Sequence, residues 1–239
     1  MSNASPSSPL ERLREHLQAA TNLRAAAKRD PSTGSARARV RAWQAARLAA
    51  TYADLVATPQ YRPAATFFLS DLYSTGDHSA RDAELERALP KLVKLLPAGA
   101  LDPMELALAA DALSEYLDAQ LASHLDHAQP ITTESYASAY RACNNRTDRV
   151  HQIELVDQVG RSLDRIAHAP MLARAVQLMG GPARLAGFGT LQSFLERGLT
   201  AFKGMRDATT FLATIKARET DLMERLLKAD RDAENPSAG

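Results

Sequence analysis

The chain has 239 residues, with 29 Lys and Arg against 28 Asp and Glu for a formal charge of +1, and it is 45% hydrophobic, 24% charged and 5% aromatic. That balance excludes a general polyanion binder, which needs a strongly basic footprint, and no run of about 18 apolar residues is present to span a membrane. A chain of this length can bury roughly 70% of the surface its unfolded form exposes, enough for one large core. Cys143 is the only cysteine, so one chain can form neither a disulfide nor a cysteine-based zinc or iron–sulfur site. The segment MSNASPSSPLERLREHL has no positively charged stretch followed by an apolar export core. A reducing cytoplasm is the expected location.

The 45 alanines, together with the absence of β-branched runs of period two, point to helix nearly throughout. Ser8-Pro9 reads as a cap plus first-turn proline, opening a helix that carries Leu10, Leu13, Leu17 and Leu23 to about Lys28. The break at Asp30-Pro31-Ser32-Thr33-Gly34 then starts a second, Ala- and Arg-rich helix that stops before Pro59, and the two suit an α-hairpin. AATFFLSDLY has phenylalanines that suit a strand, but its alanines and the i,i+4 pair Phe68 and Leu72 favour a buried helix. After the turn at STGDHS, the helix ARDAELERAL is expected to kink or restart at Pro90 and to end at Pro97. Asp102-Pro103 opens the next helix, whose apolar face is Leu106, Ala110, Leu113, Leu117 and Leu121. Thr132 or Thr133 caps a helix with Tyr136 and Tyr140, NNRTD interrupts it, and a helix from about Thr147 to Ala167 follows. Further helical stretches start at Pro170, Pro182 and Asp207. No period of 20 to 50 residues repeats, which argues against a solenoid.

Metal chemistry in helical bundles uses carboxylates with Glu-x-x-His pairs on facing helices, and that motif is missing. Asp148 and His151, His151 and Glu154, and Asp164 and His168 share helix faces, but alternating charge there reads as a solvated face. His124 is better placed, in phase with Leu106, Leu113 and Leu117, with His127 three residues on and Asp111 and Asp118 along the flank. A hydrogen-bonded histidine at a helix end is the simpler account of it. Cys143 carries no nucleophile motif, and Gly180-Gly181 and Ala186-Gly187-Phe188-Gly189 do not match a phosphate loop.

Charge is uneven. Residues 11–47 hold nine Lys or Arg against three acids, and Arg37, Arg39, Arg41 and Arg47 read as a basic surface for an acidic partner. Trp43 and Arg47 are spaced for a cation–π pair. The competing reading packs these helices on Asp82, Glu84 and Glu86. Nucleic acid is not expected, since no motif accompanies the charge.

Phe67-Phe68-Leu69-Ser70-Asp71-Leu72-Tyr73 is the most distinctive string. It resembles the signature of the bacterial FFLEELY-motif proteins, with Ser70-Asp71 in place of two glutamates. RDAELERALPKLVKLLP and LQSFLERGLTAFKGM are similar to that family too, so the likeness runs over residues 55–228. It implies a compact helical domain with no assigned activity, and no catalytic residue to carry over. On a helix, Phe68 and Leu72 share one edge, Leu69 and Tyr73 the next, and Asp71 stacks near Phe67. Such a cluster serves as an aromatic core anchor or as a groove for a partner.

The expectation is an all-α, single-domain bundle of roughly eight to ten helices over residues 9–228, between disordered tails at 1–8 and 229–239. Its expected role is a non-enzymatic protein-interaction or adaptor module, with a protein partner or a second copy and no cofactor. The alternative is a metal- or cofactor-binding bundle, enzyme or ligand sensor, using some of Asp118, His124, His127, Asp148 and His151.

Overall fold

In the computed structural model, which describes residues 8–72, 76, 78–95, 98–171, 174, 181 and 186–228, the chain is an all-α bundle. The described helices are α1 (Pro9–Arg29), α2 (Pro31–Thr51), α3 (Ala53–Ala57), α4 (Arg62–Phe67), α5 (Ser79–Leu95), α6 (Ala98–Ser123), α7 (Thr133–Ala142), α8 (Arg146–Ala167), α9 (Gly189–Lys203) and α10 (Ala208–Lys228). A π-helical turn, Phe68–Leu72, continues α4. No described helix is long and apolar enough to cross a membrane.

Local chemistry accounts for most boundaries. Ser8 and Glu11 form a reciprocal capping box ahead of Pro9, satisfying two amides that the first turn would leave bare. Asp30 ends α1 and caps α2, accepting from the Ser32 amide at 3.0 Å, so the two helices are joined by a single residue and fold back on each other. That hairpin needs Gly34, because a Cβ there would sit 2.6 Å from the Ala27 carbonyl oxygen. Thr132 and Ser135 form a second capping box at α7. Asn144, at φ 48°, breaks the chain between α7 and α8, in a conformation asparagine tolerates better than most residues.

One proline expectation is corrected: Pro103 lies inside α6, which begins at Ala98 rather than at the Asp102-Pro103 cap, while Pro90 lies inside α5 without ending it. α6 is also buried on more than one side, against α1, α2, α7 and α8. Its buried positions are Leu101, Leu108, Ala112, Glu115, Leu117, Leu121 and Ala122 rather than one stripe, as expected of a helix with neighbours all round. The stretches expected from Pro170 and Pro182, and both tails apart from Ser8, lie largely outside the described residues.

Three apolar clusters hold the bundle. Leu13 and Leu17 of α1 meet Leu85, Leu89 and Leu108. Phe68 meets Phe202, Phe211 and Leu212 around Leu48 and Tyr52. Val40, Leu121, Tyr136, Tyr140, Met223 and Leu226 form the third. Phe202 and Phe211 are fully buried, each contributing about 1.5–3 kcal/mol by transfer from water.

Candidate functional site: a polar cavity beside a buried ionic seam

An ionic seam runs between α1, α2, α5 and α6. Arg24 reaches Asp82 at 2.6 Å, Asp111 at 2.5 Å and Glu115 at 3.0 Å. Glu115 also accepts from Arg37 and Arg41, and Arg41 continues to Asp118 at 3.3 Å. Arg81 lies 3.5 Å from Asp82 and 3.8 Å from Asp111. The four guanidiniums Arg24, Arg37, Arg41 and Arg81 thus face the four carboxylates Asp82, Asp111, Glu115 and Asp118. Such matching is what makes buried charge tolerable, since each ion costs several kcal/mol to desolvate. Burial alone would depress the Arg24 guanidinium, but Asp111, Glu115 and Asp82 hold it above its ordinary value.

Beyond Asp118 the seam opens into a cavity of about 100 Å³ lined by α2, α6, α7, α8 and α10. One wall is polar: Gln44, Ser114, Asp118, Tyr136, Arg149 and Gln152. Ile153, Val156, Leu212, Ile215, Leu222 and Met223 also line the cavity, together with the charged Arg47, Asp157, Lys216 and Glu219. Gln152 Nε2 donates to Ser114 Oγ at 2.9 Å, whose own proton goes to the Ala110 carbonyl at 2.8 Å, and Gln44 Nε2 donates to the Tyr136 hydroxyl at 3.2 Å. Burial pushes the Asp118 carboxyl and the Tyr136 and Tyr140 phenols up, while Arg149 pulls all three back toward their charged forms. Burial raises the Cys143 thiol too, which keeps it protonated.

Arg149 has two buried polar atoms without a hydrogen-bond partner, where Arg47 (Nε) and Asp157 (Oδ1) of the same lining have one each. It is 5% exposed, its guanidinium carbon lies 4.6 Å from the Tyr140 ring centre, and Nη1 reaches Gln152 Oε1 only at 3.4 Å. Nε and Nη2 have no hydrogen-bond partner. Among the described residues no carboxylate comes within 4 Å of it, although the remaining charges of the wall are paired: Arg47 with Glu219 at 2.5 Å, Asp157 with Arg161 at 3.0 Å, and Lys216 with Glu154 at 2.7 Å.

Of the residues singled out from sequence, Asp118 and Arg47 line the cavity, and the histidines and Asp148 do not. His124 lies just past the end of α6 and is exposed, because the helix stops at Ser123 and the phase is lost; His127 and His151 are exposed as well. Asp118 faces Arg41 in the seam, and Asp148 is half-buried in the first turn of α8. Among the described residues no three of His, Cys, Asp and Glu form a group that could hold a metal ion. The expected basic surface is corrected. Arg37 is 3% exposed, Arg41 and Arg47 are engaged with carboxylates, and Arg39 donates to the carbonyls of His127 (2.5 Å) and Gln129. Trp43 stacks on Tyr136 at 3.9 Å instead of on Arg47. The packing of the basic helices on the acidic segment is present in Arg24–Asp82 and in Arg14–Glu86 at 3.5 Å.

The aromatic string anchors the core. Phe67 packs on Phe194 and over Gly198, where a Cβ would sit 2.9 Å from its ring tip, and Phe68 lies among Phe202 and Phe211. Leu69 is partly buried against the same cluster, and Asp71 pairs with Arg197 at 2.6 Å. The Leu72 side chain and Tyr73 lie outside the described residues.

Arg149 and Glu115 did not stand out in the sequence. Their signal is helical phase: Arg149, Ile153, Val156 and Gly160 fall on one face, as do Leu108, Ala112 and Glu115, so each charge sits at an otherwise buried position. A family model described as Domain of unknown function (DUF8198) matches residues 23–233. The chain belongs to that family. The DUF8198 match spans α2 to α10 and the C-terminal third of α1, Arg24 included, and therefore the seam and the whole cavity wall. Searches of curated proteins and of solved structures found no match.

Proposed function

We propose that this protein is a non-enzymatic ligand-binding domain, of the ligand-sensor kind, that encloses a small polar molecule in the cavity between α2, α6, α7, α8 and α10. The observation that carries this is a buried guanidinium with two unpartnered donor atoms on the cavity wall. Buried polar groups are ordinarily satisfied, and one that is not calls for a missing partner. An adaptor working by surface contacts remains the second reading, with a protein partner or a second copy of the chain. It is less favoured because Arg37, Arg41, Arg47, Phe67 and Phe68 are engaged within the fold. The single cysteine and the likeness of the FFLSDLY string to the FFLEELY-motif proteins fit a bacterial cytoplasmic setting.

Trp43 is the chain's only tryptophan and stacks on Tyr136 of the cavity wall, so its fluorescence reports the occupant. A panel of small polar molecules should include some that change Trp43 emission saturably, and Ser114→Leu, which fills the cavity, should remove the response. A panel without a saturable response would refute the reading.

A further inference from the structure

We infer that the occupant is a short-chain organic carboxylate gripped by Arg149. The inference rests on the ligand-binding reading and adds the chemical class of the ligand. The two unpartnered atoms, Nε and Nη2, form the side edge of the guanidinium, where two N–H bonds run parallel. That edge matches the two oxygens of a carboxylate, which it binds in a bidentate fork. Tyr140 lies against the guanidinium and Gln152 engages Nη1, so neither neighbour hydrogen-bonds this edge.

Charge favours a monoanion. Asp118 is turned to Arg41, Glu219 to Arg47 and Asp157 to Arg161, leaving the positive charge of Arg149 without a counter-ion within 4 Å among the described residues. One carboxylate neutralises it. A phosphate, with close to two negative charges at neutral pH, would bring a charge for which the described wall has no second unpaired cation. A neutral or cationic occupant would leave the buried guanidinium uncompensated.

Size and shape narrow the class. A cavity of about 150 Å³ accommodates benzene, so this one of about 100 Å³ takes a molecule no larger than that, about four to six non-hydrogen atoms. With the carboxylate on Arg149, the remaining carbons face Ile153 and Val156, which also line the cavity. Acetate, propionate and butyrate span the range.

The test is titration of the full chain at pH 7 and fixed ionic strength with acetate, propionate, butyrate, propionamide and inorganic phosphate. Trp43 fluorescence and the Arg149 side-chain Nε–H resonance are read up to about 50 mM, a range suited to so small a ligand. At least one carboxylate is expected to bind saturably and at least tenfold more tightly than propionamide or phosphate. Arg149→Lys should weaken it at least tenfold, because an ammonium lacks the parallel fork, and Arg149→Gln should abolish it; circular dichroism checks that each variant is folded. If Arg149→Gln does not fold, Arg149→Lys decides. Phosphate binding more tightly than every carboxylate, or carboxylate binding unaffected by the Arg149 variants, overturns the inference. Ser114→Leu-sensitive binding of propionamide without any carboxylate overturns it too and leaves the ligand-binding reading standing. No saturable response from any of the five overturns it, and extending the panel to other polar molecules then decides the broader reading.

Discussion

The Arg37 guanidinium and the Glu115 carboxylate meet inside the bundle, at 3% and 4% exposure, although 78 residues of chain separate them. Arg24 and Arg41 converge on the same carboxylate, so Glu115 is the hub of the seam. Removing one partner of a buried ionic set leaves uncompensated charge and costs about 3–5 kcal/mol. Glu115→Gln should therefore lower the midpoint of thermal unfolding by about 6 °C or more, at roughly 2–4 °C per kcal/mol for a chain of this size. A change within about 1 °C would mean that the arginines re-pair at no cost.

Acid should loosen the α2–α3 region. Hydrogen bonds from Arg218, at 2.6 and 2.7 Å, draw the Asp54 carboxyl from 3.8 down to about 2. Thr33 and Ser32 do the same for Asp30, again to about 2. Because both folded values lie below the unfolded ones, the unfolded chain takes up protons first as pH falls. The stabilisation is complete above about pH 4 and is lost between about pH 4 and pH 2. A pH series of unfolding midpoints should show that decline, and Asp54→Asn should flatten part of it. An equally steep decline in Asp54→Asn would assign it to other carboxylates.

Gly34 is held by the α1–α2 hairpin. Gly34→Ala gains up to about 1 kcal/mol of helix propensity, but its methyl would meet the Ala27 backbone, which has no rotamer to yield, so a net loss of about 1–3 kcal/mol is expected from overpacking. Gly204→Ala, with nothing within 4 Å, is the control and should be neutral within about 0.5 kcal/mol. Denaturant midpoints distinguish the two.

Within the aromatic string, roles divide by burial. Phe68→Ala opens a cavity against Phe202 and Phe211 and should cost about 3–5 kcal/mol. Asp71→Ala removes a pair whose Arg197 side is 56% exposed, worth at most about 1 kcal/mol. Equal losses from the two would indicate that Asp71 does more than hold Arg197.

The helical character and the caps at Ser8 and Thr132 were legible because each rests on neighbours within about one turn, and the apolar i,i+4 spacing in the string marked Phe67 and Phe68 for the core. α6 starting at Ala98 was not, since its tertiary contacts carry the helix through Pro103. The seam was hidden for a related reason: Arg24, Arg37 and Glu115 look like solvent-facing charges until α1, α2 and α6 are brought together. Asp157 lies in the same charge-alternating stretch as Glu154 and Asp164 yet is 7% exposed, because α10 covers it with Lys216 at 3.8 Å. Arg149 lies in the polar stretch NNRTDRVHQIE, and only its phase with Ile153 and Val156 marks it as inward-facing.

Whether Arg149 is kept for the fold or for an occupant is decided most directly by the stability of Arg149→Met, measured in denaturant with no carboxylate or phosphate in the buffer. A cation that serves a ligand is a burden to the empty protein, and replacing it with an apolar side chain of similar length should leave stability unchanged or raise it by about 1 kcal/mol or more. A loss of more than about 2 kcal/mol would show that Arg149 holds the bundle together, and would contradict its role as an open anion anchor.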